Sequence, residues 1–476
     1  MTKTFFYIMV FLLLIFYMLP SGSRELTDPV RGGVHDQFLL KRPAFYLEPL
    51  TGISYYFLGM YDKKQQLVSW LLWILFFNLA AAIFLNGVNL KKMFGNLYLS
   101  MLVFLVFISY TVFFPFPKYR VSTLDDACFI VDPQSHTVYS HDGLAGIRKS
   151  RRWHRKHGFH GYFITDHNTV AGAEKTLKLK KKPADPAVFK GEEIQDAYGN
   201  ALVLLGTDKS ASGFCGGETS EISDFVHEQG GAVIVGHWWG QKGSTLQELK
   251  DAGVDGFEVY GHTGKPLTGD TRGEIVRFCT DNGLAMTGGS NWHGLGERND
   301  VWTSFRIPGW AGMDRSGIRQ EIVSILRRGE NDRIDVIVLS GKEPVSGFRY
   351  IFEPFAGIYF YFKKLEFPGL IAWFAWIALL RAAILLYRNM PGEFKPPVRA
   401  GAFIAAGSVM LAAAFAFLVR WYFLDAYNEA LFDMARAHFI IGILLLLFTL
   451  GKIRNKPASF YARNFYIRKP QIVRQD

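Results

Sequence analysis

The chain has 476 residues, of which 49% are hydrophobic and 20% carry a charge, and its lysines and arginines outnumber its acidic residues by 53 to 42. This composition excludes a disordered or acidic-tail protein, and the length predicts two or three domains of about 100–200 residues each. The three cysteines, Cys128, Cys215 and Cys279, form no CxxC pair, so a disulfide framework and a thiolate zinc site are also excluded.

Long apolar runs lie only in the two end regions of the chain. They cover residues 5–19, 67–85, 97–114, 368–386, 400–419 and 431–450. As helices, most of these runs are long enough to cross a hydrocarbon layer of about 30 Å. The first run precedes Pro20 and Ser21, and it fits a secretory signal as well as a span. The sequence therefore predicts an integral multi-pass membrane protein with five or six spans.

These runs divide the chain into four parts. We expect an N-terminal membrane region at 1–117, a globular domain at 118–345, a C-terminal membrane region at 346–450 and a basic tail at 451–476. Lysine and arginine concentrate in the tail and in two short loops, which favours a cytoplasmic tail and a globular domain outside the cell membrane. Lys63, Lys64 and the three unpaired cysteines argue against that location, so the sequence leaves the orientation open.

The globular region alternates short apolar strands with helices. The predicted strands lie at 128–131, 161–165, 202–205, 232–235, 256–260, 284–287 and 333–339. Helices predicted at 144–157, 220–229 and 271–282 fill some of the intervals. This alternation is typical of an α/β fold built on parallel strands.

Several histidines come shortly after predicted strands. They are His136, His167, His237 and His293. In a barrel of parallel strands, the carboxyl ends of the strands meet on one face, where ligands and catalytic groups collect. Asp142 and Glu193 add carboxylates, and imidazole with carboxylate is a ligand set that suits Zn²⁺, Mn²⁺ and Fe²⁺. The sequence thus predicts a divalent metal site.

Six short segments, taken in order, resemble the polymerase and histidinol phosphatase (PHP) superfamily. The segments are Gln134-Ser135-His136-Thr137, Ser140-His141-Asp142-Gly143, Thr165-Asp166-His167-Asn168, Gly191-Glu192-Glu193-Ile194, Val235-Gly236-His237 and Gly289-Ser290-Asn291-Trp292-His293. The resemblance covers about residues 129–294 and leaves the apolar ends outside. It implies a distorted (β/α)7 TIM-like barrel, here flanked by α-helical membrane segments, that holds one to three divalent ions (Mn, Zn or Fe) and hydrolyses phosphate esters.

The resemblance also assigns residues to the metal site. By motif, the implied ligands are His136, Asp142, His167, Glu193, His237 and His293. It further implies that His136, Glu193 and His237 act in catalysis through metal-bound water. Gln134 and Asn291 stand where the family has a histidine and an aspartate, and uncharged amide oxygens are weaker ligands. His141 is a further candidate ligand, with an exposed turn histidine as the alternative.

The favoured function is a membrane-anchored, metal-dependent phosphoesterase that hydrolyses a phosphomonoester or phosphodiester by a metal-activated water. A bound metal lowers the pKa of water toward ~7 and supplies hydroxide near neutral pH. Because Gln134 and Asn291 weaken the ligand set, the alternative is a barrel with degraded metal sites that acts as a membrane-tethered sensor or binding module. Metal-dependent hydrolysis of an amide is a third hypothesis.

The expected partners are the lipid bilayer and a phosphorylated substrate, with lipid-linked and envelope-derived compounds as candidates. Basic residues cluster at 148–156 and 175–182, where they fit anionic headgroups or substrate as well as a solvated helix face. Nucleic acid is disfavoured as a partner because no basic strand is interleaved with aromatic residues. The sequence does not identify the substrate-binding residues.

Overall fold

The computed structural model describes most of the chain between residues 25 and 454. The described residues are 25–52, 63–85, 89–114, 119–238, 243–261, 269–296, 298–339, 347–363, 365–391 and 398–454, together with Tyr7 and Phe11. The predicted first span, apart from these two residues, and nearly all of the basic tail lie outside the described residues.

The strands belong to the central part of the chain and to a short segment near its N-terminus. They are β1 (Leu26–Thr27), β2 (Phe38–Lys41), β3 (Arg120–Thr123), β4 (Cys128–Asp132), β5 (Gly161–Ile164), β6 (Ala187–Gln195), β7 (Ala201–Leu205), β8 (Ala232–Gly236), β9 (Gly256–Gly261), β10 (Ala285–Gly289), β11 (Val301–Arg306) and β12 (Ile334–Leu339). All seven predicted strands are present, with their ends shifted by at most two residues. Strands such as β4 and β8 are buried along their whole length, which explains why they read as continuous apolar runs.

Ten strands form one mixed sheet in the order β1-β12-β11-β4-β5-β6-β7-β8-β9-β10, and β2 pairs with β3. The pairs β4–β5, β5–β6, β8–β9 and β9–β10 are parallel, whereas β7 runs antiparallel to both neighbours. The sheet curls so that its end strand β10 approaches β11 and the loop after β4: Gly288 N donates to the Thr303 hydroxyl and Asn291 N donates to Gln134 O, each over 2.9 Å. The α/β prediction is confirmed, but the sheet is a half-barrel that its strand ladder does not close.

The helices divide between the central domain and the two end regions. They are α1 (Lys63–Leu85), α2 (Leu90–Phe113), α3 (Ile147–His157), α4 (Ala171–Leu177), α5 (Thr219–Glu228), α6 (Leu246–Asp251), α7 (Gly269–Asn282), α8 (Arg315–Arg327), α9 (Glu353–Lys363), α10 (Phe367–Asn389), α11 (Val398–Tyr422) and α12 (Glu429–Arg454). Helices α3 to α8 follow the strands and cover the sheet with apolar side chains. Trp153 of α3 and Ile322 of α8, for example, belong to buried apolar clusters that include strand residues.

The N-terminal region contributes to the central domain as well as to the membrane region predicted at 1–117. Leu26 and Thr27 of β1 pair with Leu339 and Val338 of β12. Phe38 of β2 is buried in the same apolar cluster as several strand residues of the central sheet. A boundary at residue 117 therefore cuts off two strands that pack with the globular domain.

Among the described residues, five helices are long and apolar enough to cross a membrane. The candidate spans are Gln66–Phe84, Lys92–Phe113, Phe367–Asn389, Gly401–Tyr422 and Glu429–Gly451. Large apolar side chains point outward from them, such as Phe84 (81% exposed), Leu386 (71%) and Phe415 (69%). An exposed apolar surface of this kind marks a membrane or protein contact, which agrees with the predicted membrane protein.

Candidate metal centre

The loops after neighbouring strands bring the predicted site residues to one end of the sheet. His136 lies beyond β4, His167 beyond β5, His237 beyond β8 and His293 beyond β10, whereas Glu193 lies within β6. Backbone bridges join Ser135 to Trp292 and His167 to Glu193, so these loops continue the side-by-side order of the strands. Residues up to 157 positions apart in sequence thereby meet around one point.

Four of the predicted ligands form a compact group. One ligand atom from each of His136, Asp142, His167 and His293 lies within 4.8 Å of the other three. The Asp142 carboxylate is 3.1 Å from His293 Nε2 and 3.6 Å from His167 Nε2. Two ligand atoms that share a tetrahedral ion at ~2.1 Å lie ~3.4 Å apart, so these separations fit a common ion.

The remaining predicted residues extend this group on the side of Glu193. Its carboxylate oxygens lie 3.2 Å from His136 Nε2 and 3.9 Å from His167 Nδ1. Gln134 donates its amide Nε2 to Glu193 over 2.6 Å, and the same nitrogen is 3.4 Å from His237 Nε2. Glu193 is therefore placed between the four-residue group and a second group formed by Gln134 and His237.

The side-chain amide oxygens of Gln134 and Asn291 are buried without a hydrogen-bond partner. Neither oxygen accepts a hydrogen bond from any described residue. His136 Nδ1 is likewise buried and has no hydrogen-bond partner among the described residues. A buried polar atom without a partner is costly, and a site for a bound ion is one of its ordinary explanations. The donor set of imidazoles, carboxylates and unpaired amide oxygens therefore fits a divalent cation.

Backbone strain also concentrates at this site. Asn168, His237 and Asn291 have φ angles of 56°, 55° and 45°, and no other described residue except glycine has a positive φ. This left-handed conformation is disfavoured for residues with a Cβ atom, and such outliers cluster at active and ligand-binding sites. Each of the three residues lies next to or within a predicted site segment.

The electrostatics of the group suit metal ligation. Burial, aided by the charge of His293, lowers the pKa of His136 to about 4, so this imidazole is neutral at pH 7 as a ligand must be. Burial tends to raise the pKa values of Asp142 and Glu193. The neighbouring histidines outweigh that effect and keep both carboxyl groups ionised, with pKa values well below their ordinary ones.

Glu258 is a site residue that the sequence analysis missed. It lies in β9, where its carboxylate is 2.7 Å from His237 Nδ1 and accepts backbone hydrogen bonds from His237 and Gly289. Carboxylates commonly orient a metal-binding histidine through the ring nitrogen that does not face the ion. The available signal was an acidic residue inside the otherwise apolar run from Phe257 to Tyr260.

His141 lies beside the four-residue group but outside it. Its ring centroid is 5.0 Å from that of His167, and the residue is exposed. The basic cluster at 148–156 is partly internal, because Arg151 is buried and donates to the carbonyls of Thr176 and Lys180. Arg155 pairs with Asp185 over 2.9 Å. Only part of that cluster is thus free to contact an anionic ligand.

Another group of possible ligands lies at the edge of the sheet. Asp28, His35 and Asp335 come within 4.8 Å of one another. The Arg31 guanidinium already pairs with both carboxylates, over 3.1 Å to Asp28 and 2.9 Å to Asp335. The Arg31 guanidinium therefore takes the place of a metal cation between the two carboxylates. The resulting ion pairs connect the segment after β1 to β12.

Comparisons with known proteins give partial matches. No family model matches the chain. An uncharacterized protein of Methanocaldococcus jannaschii is 33% identical over 107 residues, which make up 22% of this chain and 60% of that protein. The chain therefore spans less than two thirds of the length of this relative.

Structural neighbours of the chain include two proteins described as metal-dependent phosphoesterases or as containing one, and one of these descriptions names a PHP-like domain. A "putative metal-dependent phosphoesterase" of Bifidobacterium adolescentis has a TM-score of 0.29 at 19% identity, covering 34% of this chain and 87% of its own. A two-domain protein of Bacteroides vulgatus, described as containing a predicted PHP-like metal-dependent phosphoesterase, has a TM-score of 0.32 at 16% identity, covering 43% and 64%. An amidohydrolase of Chromobacterium violaceum with bound sulfate and no metal has a TM-score of 0.29 at 13% identity, covering 38% and 92%. These likenesses are partial and do not assign a function to this chain.

Proposed function

We propose that this chain is a membrane-anchored, metal-dependent phosphoesterase of the PHP superfamily, with a distorted TIM-like barrel as its catalytic domain. The observation that carries the proposal is the convergence of His136, Asp142, His167 and His293, whose ligand atoms lie within 4.8 Å of one another. The five long apolar helices support anchoring in a membrane. The concentration of basic residues in the tail and in two short loops supports a central domain on the outer side of the cell membrane.

The site supports one strong metal position and a weaker second one. Asp142, His167 and His293 would hold the first ion. His136, Glu193 and His237 would hold the second, with the amide oxygens of Gln134 and Asn291 as neutral ligands. When bound, a divalent ion lowers the pKa of water and neutralises charge on a phosphoryl group.

The protein groups around these positions contribute in their own right. Burial keeps His136 neutral, so its ring adds no charge that would repel a cation. Glu258 fixes the orientation of His237 from behind. Lys175 lies at the mouth of the site, where its ammonium group can attract a phosphoryl dianion.

One observation favours the alternative of a membrane-tethered sensor or binding module. Gln134 donates to Glu193 over 2.6 Å, and this hydrogen bond competes with a metal for the carboxylate. A histidine at position 134 would instead add a ligand. The number of ions, and with it the presence of catalysis, therefore separates the two functions.

The direct test uses the full chain in detergent, loaded with Mn²⁺, Zn²⁺ or Fe²⁺, and measures phosphate release from para-nitrophenyl phosphate. The proposal expects turnover by the wild type and none by His293→Ala. The matched control is His227→Ala. This histidine lies outside the candidate site, and its Nε2 is 2.8 Å from the Asp255 carboxylate. Tight metal binding without phosphate release would favour the sensor, and release from an anilide instead would favour amide hydrolysis.

A further inference from the structure

A cavity opens between the candidate metal centre and the loop that joins two candidate membrane spans. Its volume is about 660 Å³. One wall carries His141, His167 and Lys175, and the other is formed by Asp425, Ala426 and Tyr427 of the α11–α12 loop. A molecule bound here would contact a predicted metal ligand and the membrane hairpin together.

The hairpin is packed firmly against the metal-binding turn. Leu431 of α12 is fully buried in a cluster with Val138 and Leu144, which flank the turn that carries Asp142. Arg420 of α11 donates to the Leu144 carbonyl over 2.9 Å. The cavity is thus a fixed feature of the contact between the central domain and the membrane helices.

The position of the cavity relative to the membrane surface can be estimated from the number of residues between its wall and the candidate span in α11. The apolar segment of α11 ends at Tyr422, and the cavity wall begins three residues later at Asp425. Three residues reach at most ~10 Å, and each headgroup layer of a bilayer is roughly 5–8 Å thick. The aromatic residues Tyr422, Phe423 and Tyr427 are 74–78% exposed at this level, as expected for side chains at a membrane surface. Because this reach is comparable to the thickness of that layer, we expect the cavity to open at or near the level of the lipid headgroups.

The charges in the cavity suit a phosphate group. Lys175 pairs with Asp425, and its ammonium lies 4.8 Å from the centre of the Tyr139 ring. Both partners of this ion pair are partly exposed, at 36% and 66% of the side-chain surface, so an anionic headgroup can replace Asp425 beside Lys175.

From this geometry we infer that the substrate is a membrane lipid with a phosphorylated headgroup, bound between the metal centre and the α11–α12 loop while its chains stay in the bilayer. The inference rests on the proposed phosphoesterase function and adds the source of the substrate. Hydrolysis consumes one water: its oxygen bonds to phosphorus, the bond from phosphorus to the alcohol oxygen breaks, and the alcohol leaves with a proton.

The experiment compares long-chain lipids in vesicles with short-chain, water-soluble analogues of the same headgroups, using the metal-loaded full chain. The probes are phosphatidic acid, a phosphomonoester, and phosphatidylglycerol, a phosphodiester. We expect kcat/KM for at least one long-chain lipid to exceed that of its soluble analogue by about tenfold or more, because the long chains in the bilayer add binding energy that the analogue lacks.

Two tyrosines of the hairpin provide matched variants. Tyr427 lines the cavity, whereas Tyr422 does not, and both are 74% exposed. Tyr427→Ser is expected to raise KM for the vesicle lipid by more than it raises KM for the soluble analogue, while Tyr422→Ser changes neither. Equal or better hydrolysis of the soluble analogues, with both variants behaving as wild type, would overturn this inference alone. Absence of hydrolysis of every probe, measured as phosphate released from the phosphomonoester and as alcohol or phosphomonoester released from the phosphodiester, would contradict the phosphoesterase function as well.

Discussion

The side-chain nitrogen of Asn428 lies 2.8 Å from the carbonyl oxygen of Ser140, two residues before the candidate metal ligand Asp142. The same nitrogen is 3.0 Å from the Val138 carbonyl and 2.7 Å from that of Gly143. Its side-chain oxygen accepts from Leu431 N and thereby caps α12. One fully buried residue therefore holds the turn that carries the candidate ligand Asp142 and begins a candidate membrane span.

This relationship predicts that Asn428→Ala weakens metal binding. Without the amide, the turn that carries Asp142 loses its hydrogen bonds to α12. We expect metal affinity to fall by roughly 10–100-fold, the usual cost of removing a group that supports a ligand. Titration of the metal-free full chain with Zn²⁺ or Mn²⁺ measures the change.

The control for this variant is Asn89→Ala. Asn89 caps α2 by accepting from Lys92 N, so it has the same capping role on another candidate span but no contact with the metal turn. Each variant is expected to lose about 1 kcal/mol of stability from the missing cap. Equal metal affinities for the two variants would show that Asn428 acts only as a helix cap.

Glu258→Gln is predicted to disturb the second metal position. The carboxylate lies 2.7 Å from His237 Nδ1 and raises the pKa of that imidazole against the opposing effect of burial. A neutral amide orients the ring less firmly, so we expect ~10–100-fold weaker binding of the second ion. The control is Glu192→Gln, because Glu192 is also buried but accepts from Ser210 and Ala211 instead. If metal titrations of the two variants coincide, Glu258 has no positioning role.

Orientation is testable with a native cysteine. Cys215 is exposed, whereas Cys128 and Cys279 are buried. An outer location of the central domain predicts that a membrane-impermeant thiol reagent labels Cys215 in intact cells and that Cys215→Ser abolishes this labelling. Labelling that appears only after the cells are lysed would place the domain on the cytoplasmic side.

The stability of the central domain is predicted to fall in acid partly because of His160. Burial, aided by the charge of Arg120, lowers the pKa of this histidine from 6.5 to about 4, and its Nδ1 accepts a hydrogen bond from Ile130 N. Above pH 6.5 the imidazole is neutral in both the folded and the unfolded state. As the pH falls from 6.5 toward 4, only the unfolded state gains the proton, so stability is lost by up to about 3 kcal/mol.

His160→Gln keeps an acceptor for Ile130 N and removes the titration. We expect its melting temperature to fall less than that of the wild type between pH 7 and pH 4.5. Parallel decreases for the two proteins would assign the acid sensitivity to other groups.

The sequence predicted the parts of this molecule that local patterns determine. Apolar runs such as that of β8 identified the strands, and the strand-end positions of His136 and His293 indicated that they meet. The pairing of β1 with β12 joins residues about 310 positions apart. A strand of two residues is too short for its sequence to indicate which strand it pairs with. The contact of Asn428 with the metal turn is likewise a property of packing between distant segments. Glu258 was overlooked because a single acid within a strand has no motif of its own.

The central claim is that His136, Asp142, His167, Glu193, His237 and His293 hold one or two divalent ions between them. The most direct measurement is the metal content of the purified full chain, determined by elemental analysis after incubation with Mn²⁺, Fe²⁺ and Zn²⁺ in turn and removal of the unbound metal. We predict about one to two ions per folded wild-type chain and fewer for Asp142→Asn. A folded wild-type chain that retains none of the three metals would contradict the claim.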